Sequence, residues 1–236
     1  MATTPTPQSP LQLNHPKPVP RPGTWVSAAL VTVLGAMLAH ALVTNDKFHW
    51  DTVWFFFREV HVVTAVGWTL LLTFLAMAIG IVLAVTTAIM RQSSNPVLRW
   101  VALAYLWFFR GTPIYTQLVF WGAISALYQH LSLGVPFGPE LLSFKTTDVF
   151  TPFVAAVLGL GINEGAYLSE IVRSGLASVD PGQAEAAGAL GMSRGQIMRR
   201  IILPQAMRVI VPPTGNETIS MLKTTSLVLA VPFTLD

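Results

Sequence analysis

The sequence predicts an all-α fold, a bundle of helices that crosses a membrane several times. Three observations lead there. Hydrophobic residues make up 53% of the chain and charged residues 11%, against roughly 25% charged in soluble domains. From Val62 to Met90 there is no Asp, Glu, Lys, Arg or His, a run longer than the ~20 residues that span a bilayer. The basic residues gather in the N-terminal tail, between Arg91 and Arg110, and between Arg173 and Arg208. If the spans alternate, all three groups fall on one side, as cytoplasmic loops require.

The tail, residues 1–23, holds Pro5, Pro7, Pro10, Pro16, Pro18, Pro20 and Pro22. That density excludes regular structure, so a disordered cytoplasmic segment is expected. Trp25 to Val43 is too long for a signal peptide and reads as an N-terminal span within a segment 24–61. His40 lies alone on it and reads as a packed or interface histidine. Phe48, Trp50, Trp54, Phe55, Phe56 and Phe57 suit a membrane-interface belt in the outer loop that follows.

The core is expected over 62–236, with spans at about 62–90, 114–131, 151–174 and 209–232. Leu98 to Phe109 is too short to cross and reads as an interfacial helix. Ser132 to Asp148 reads as an outer loop. Between the last two spans, at about 178–204, Asp180, Pro181 and Gln183 signal a helix start and Gly191 a stop. Ser193 and Gln196 repeat the start signal for a second short helix ended by Pro204.

Ionisable groups inside spans are costly and face a cavity or a partner. Asn163, Glu164, Tyr167 and Glu170 lie on the third core span in order. Asn163, Tyr167 and Glu170 share one face by i, i+4, i+7 spacing. Asn216 and Glu217 lie on the last span with Ser220 and Lys223. Two readings stand: these groups line a path for a polar substrate, or they pair internally, as Glu170 with Arg173 or Glu217 with Lys223. There is no cysteine, which excludes disulfides and thiolate metal sites. No phosphate-binding glycine loop, zinc motif or nucleophile elbow occurs. Nothing points to nucleic acid.

Glu185-Ala186-Ala187, Gly191 and Ile201-Ile202-Leu203-Pro204 are spaced as in the EAA loop, and the segment resembles that loop of ATP-binding-cassette importer permeases. Gly67-Trp68-Thr69-Leu70, Arg110-Gly111-Thr112-Pro113 with Gln117, Ala166-Tyr167 with Glu170, Leu203-Pro204-Gln205-Ala206 and Lys223-Thr224-Thr225-Ser226-Leu227 extend the likeness in order. They resemble the branch for polar amino acids (histidine, glutamine, glutamate, arginine). The resemblance implies a type I importer permease in the bacterial plasma membrane, multi-pass, with its N-terminus cytoplasmic. It implies a transporter subunit rather than an enzyme, with Glu185, Ala186, Ala187, Gly191, Leu203 and Pro204 coupling it to a separate ATPase. ATP and Mg²⁺ would bind that partner, and this chain would hold no cofactor. A second permease copy or paralogue, an extracytoplasmic amino-acid-binding protein and membrane lipid complete the expected partners. The family's final helix after Lys-x-Thr-Ser-Leu is not in the sequence, so a truncated or fragmentary chain is expected. The alternative is a secondary transporter driven by an ion gradient, with Glu164 or Glu217 as proton site. The acidic groups lean toward a cationic amino acid.

Overall fold

The structure is a computed structural model that describes residues 22–135 and 140–231. It divides into two compact units that meet between Glu59 and Val60. The expected tail lies outside the described residues over 1–21.

In the first unit, α1 (Pro22–Thr44) is followed by a 3₁₀ turn and α2 (Trp50–Phe57). The apolar face of α1 is open along its length, and the helix from Gly23 to Thr44 is long and apolar enough to cross a bilayer. The Trp50 indole N–H donates to the Leu42 carbonyl at 2.8 Å, pinning α2 to the end of α1. The Arg58 guanidinium caps the Trp54 ring at 4.4 Å, as an aromatic belt with a basic rim would arrange it.

The second unit is built around α3 (Val60–Gln92), α4 (Pro96–Gly111), α5 (Ile114–Gly122), α8 (Pro152–Ala177) and α11 (Leu203–Thr224). Helix α3 also qualifies as a span by length and apolarity. The axis of the unit is the pairing of α3 with α8, and small residues explain it. Ala76, Gly80, Ala84 and Ala88 recur at every fourth position of α3 and are all buried. Gly161 and Gly165 face them from α8. A Cβ on Gly161 would fall 2.9 Å from Ile79 Cβ, and one on Gly165 would fall 2.7 Å from Leu83 Cβ. In a bilayer, where apolar surface gains nothing by leaving lipid, such close backbone approach is what holds helices together.

Three expectations are corrected. The second core span, expected over 114–131, is not one helix. It ends at Gly122, resumes as α6 (Ile124–Leu127), and passes into strand β1 (His130–Gly134). Gly122, the last residue of α5, is a weak helix former, and Tyr128 is already extended. The outer loop is a β-hairpin: β1 pairs antiparallel with β2 (Glu140–Lys145), His130 opposite Lys145, before the single turn α7 (Thr146–Val149). Lastly, Pro204 ends nothing. Helix α10 (Arg194–Ile197) continues through a π-helical turn, Met198–Ile202, into α11. The Leu203 N–H bonds the Met198 carbonyl five residues back, which widens the turn where the Pro204 ring would otherwise meet backbone. The expected last span thus starts earlier, at Leu203, and its α-helix ends at Thr224.

Candidate functional site

The loop between α8 and α11 forms from strong local signals. Helix α9 (Pro181–Ala189) starts at Asp180, whose carboxylate accepts from Gly182 N at 2.8 Å. This replaces the expected box with Gln183. The complete capping box is one helix later: Ser193 Oγ accepts from Gln196 N at 3.4 Å, and Gln196 Oε1 accepts from Ser193 N at 2.9 Å. Gly191, at φ +80°, closes α9. Its N–H reaches Gly188 O at 2.9 Å and Met192 N–H reaches Ala187 O at 3.1 Å, the paired bonds of a Schellman stop. Of the residues expected to couple, Ala187 is buried, while Glu185, Ala186, Gly191, Leu203 and Pro204 are exposed. Sequence reasoning passed over Leu190. It is 84% exposed at the end of α9, an apolar knob beside the Glu185-Ala186 surface. The signal was a lone leucine directly before the glycine stop.

The polar residues of α8 go to three different places. Asn163 is buried and Nδ2 donates to Phe109 O at 3.0 Å and to Gln117 Oε1 at 3.1 Å. Gln117 Nε2 in turn donates to Phe109 O, Thr112 O and Thr112 Oγ1, at 3.1, 3.1 and 2.8 Å. These bonds satisfy carbonyls freed where α4 breaks at Gly111-Thr112-Pro113. Tyr105 supports the same junction by donating to Ile162 O at 2.6 Å. Gln117 and Tyr105 are thus site-building residues whose partners lie 46 and 57 positions away.

Glu164 is 5% exposed, and among the described residues its Oε1 has no hydrogen-bond partner. It borders a cavity of about 220 Å³ between the start of α5, α8 and α11. Thr112 and Pro113 form one wall, Asn163 and Tyr167 another, and Glu217 with Ser220 the third. Two carboxylates from different helices therefore share one small cavity. An uncompensated pair there would be costly, and a cationic group between them would relieve it.

Glu170 does not line that cavity. It forms an ion cluster with Arg91 at the end of α3, Arg173 and Arg110. Arg91 Nη1 bonds Oε1, Arg173 Nε bonds Oε2 at 2.7 Å, and Arg110 Nη1 stands 3.6 Å from Oε1. The anticipated Glu170–Arg173 pair is present, within a larger group. Asn216 is exposed on α11 and stays apart from both clusters.

Three comparisons bear on this arrangement. The family model described as "Binding-protein-dependent transport system inner membrane component" matches residues 76–232. Among curated proteins, the arginine transport system permease protein ArgU of Corynebacterium glutamicum is 50% identical over 220 residues, covering 93% of this chain and 68% of that protein. The L-cystine transport system permease protein TcyB of Bacillus subtilis is 37% identical, covering 79% of this chain and 72% of that one. A crystal structure of an amino acid ABC transporter with histidines superposes with a TM-score of 0.55 at 38% identity, covering 70% of this chain and 69% of that chain. A methionine ABC transporter in an inward-facing form, 20% identical with a TM-score of 0.53, shares the fold.

Proposed function

This chain belongs to the family of binding-protein-dependent transport system inner membrane components, and we propose that it is the permease through which a cationic amino acid, arginine first, enters the cell. The chain is a permease subunit of an ATP-binding-cassette importer and not an enzyme; ATP hydrolysis lies on a separate partner. Family membership disposes of the ion-gradient alternative.

One observation carries the substrate reading: Glu164 and Glu217 border the same cavity, and a Glu164 oxygen is buried without a partner. The 50% identity to a permease named for arginine transport supports it. A guanidinium or ammonium entering the cavity supplies the missing partner.

In this reading the delivery partner is an extracytoplasmic binding protein, and ATP with Mg²⁺ sits on the ATPase. The ATPase docks on α9 and the turn after it, where Glu185, Ala186 and Leu190 stand exposed. A second permease, a copy or a paralogue, covers the open face of α11. Gln205, Arg208, Asn216 and Lys223 fall on that one face and are exposed, a surface that hydrocarbon does not accept. The N-terminus and the α9 loop are then on the cytoplasmic side.

Glu164→Gln tests the reading in proteoliposomes that contain the importer and its binding protein. It keeps size and hydrogen bonding and removes the charge. A charged contact is worth ~1.5–3 kcal/mol, so arginine uptake falls about ten- to a hundredfold at ~1.4 kcal/mol per decade, with neutral uptake little changed. Glu217→Gln is the matched variant. If both leave cationic uptake intact, the carboxylates are structural and the substrate reading is wrong.

A further inference from the structure

The ion cluster around Glu170 holds three guanidinium groups against one carboxylate, and they are not equivalent. Arg91 occupies Oε1 and Arg173 Nε occupies Oε2. Arg110 stands 3.6 Å from Oε1, beyond hydrogen-bond reach. Among the described residues its guanidinium makes no hydrogen bond, and its side chain is 42% exposed. What it does touch is Tyr167: its Cζ lies 5.6 Å from the centroid of that ring. Tyr167 is also a wall of the acidic cavity, and Thr112 and Pro113, the residues just after Arg110, form another. Of the three arginines, the one that makes no hydrogen bond among the described residues therefore stands a single aromatic ring from the two carboxylates.

That gives the region two poles. A pair of carboxylates suits the side chain of a cationic amino acid and does nothing for its α-carboxylate, which must also leave water. A guanidinium presents a planar fork that matches a carboxylate, with two parallel N–H donors. We propose that Arg110 is the carboxylate-recognition residue at the rim of the cavity, so that substrate lies with its cationic end toward Glu164 and Glu217 and its α-carboxylate on the Arg110 fork. This rests on the cationic-substrate reading above and adds what that reading lacks, a reason why the permease takes amino acids rather than simple cations. The Tyr167 ring, 5.6 Å from Cζ, attracts the guanidinium toward the cavity side. Arg91 and Arg173 take the hydrogen bonds of Glu170, so Glu170 holds Arg110 only by charge at 3.6 Å and leaves its N–H fork unbonded.

The test measures binding to the chain assembled with its ATPase in lipid nanodiscs, without binding protein, so that selectivity belongs to the permease. Radiolabelled L-arginine is displaced by three probes: L-arginine, agmatine (arginine lacking the carboxylate) and L-citrulline (carboxylate kept, side-chain charge removed). In the unmodified complex agmatine competes about ten- to a hundredfold more weakly than arginine, the worth of a charged hydrogen-bonded contact. In Arg110→Gln arginine weakens to the level of agmatine and that gap closes, while the gap between arginine and citrulline stays. Arg110→Lys keeps the charge without the fork and leaves an intermediate gap; it also serves if Arg110→Gln does not assemble. Equal weakening of arginine and agmatine, or no change in either, overturns the proposal. Failure of the cation reading looks different: citrulline then competes as well as arginine in the unmodified complex, whatever agmatine does.

Discussion

Replacing Gly165 by alanine isolates the packing that places Glu164. The added Cβ would lie 2.7 Å from Leu83 Cβ, 2.7 Å from the Tyr105 hydroxyl oxygen and 3.3 Å from Gly80 O. Carbon atoms rest at ~3.5–4.0 Å, and Leu83 Cβ is fixed to its backbone, so α3 and α8 must part by about an ångström. Overpacking of this kind costs ~1–3 kcal/mol. Displacing the Tyr105 hydroxyl from Ile162 O adds ~0.5–1.5 kcal/mol. Alanine's better helix propensity returns ~1 kcal/mol, which leaves a net loss of about 2 kcal/mol. For a chain of this size that lowers the melting temperature by roughly 4–8 °C. The assay is thermal unfolding of the purified permease–ATPase complex. Gly35→Ala is the control, because a Cβ there meets nothing within 4 Å. Gly80 lies 3.0 Å, measured from its added Cβ, from Glu164 Cγ, so parting α3 from α8 also loosens the cavity and lowers arginine uptake. A Gly165→Ala complex that melts at or above the unmodified one refutes the close-packing argument.

Two further outcomes follow from the loop and from the charge bias. Gly191→Asp puts a side chain at φ +80°, strained by ~1–2 kcal/mol, and adds charge beside Leu190; the permease still reaches the membrane, but ATPase co-purification weakens or ATP turnover proceeds without uptake, and full uptake with normal turnover would remove the coupling role. Single cysteines at Ser94 and Ser193 stay shielded from an impermeant thiol label in whole cells while one at Ser143 reacts; labelling at Ser193 from outside inverts the topology.

Much of this molecule was legible because its signals are local. The uncharged run over Val62–Met90, the Asp180 and Ser193 starts and the Gly191 stop each depend on a few adjacent residues, and each recurs in the structure. The pattern that fixes the core was equally present and went unread. Ala76, Gly80, Ala84 and Ala88 count as apolar on any hydropathy scale; their meaning lies in size, and only the facing Gly161 and Gly165 make it visible. The ion cluster was half legible. Spacing along one helix gave Glu170 with Arg173, whereas Arg91 and Arg110 read as markers of the inner side. No spacing rule joins residues 79 positions apart. Asn163 was legible in part for a related reason: it does line the cavity, but its Nδ2 also donates to Phe109 O and Gln117, partners that spacing along its own helix could not name. Pro204 misled because the turn before it is π: the Leu203 N–H bonds Met198 O, and the widened turn carries the helix past the ring.

That last difference bears on how the cavity and the loop are joined. Had Pro204 ended a short helix, Glu217 would stand on a separate element, and motion at Ser193 would reach it only through side-chain contacts. Instead the helical backbone runs from Arg194 to Thr224, about 46 Å at 1.5 Å per residue. Glu217 lies near its far end and Ser193 caps its start. A displacement of the loop moves the second carboxylate of the cavity through covalent structure, with the π turn and Pro212-Pro213 as the two places where such a rod yields. The other carboxylate stands on α8, which the glycine and alanine contacts clamp to α3. In the proposed reading, then, pushing on the loop changes the separation of Glu164 and Glu217, the coordinate that sets how tightly a cation is held.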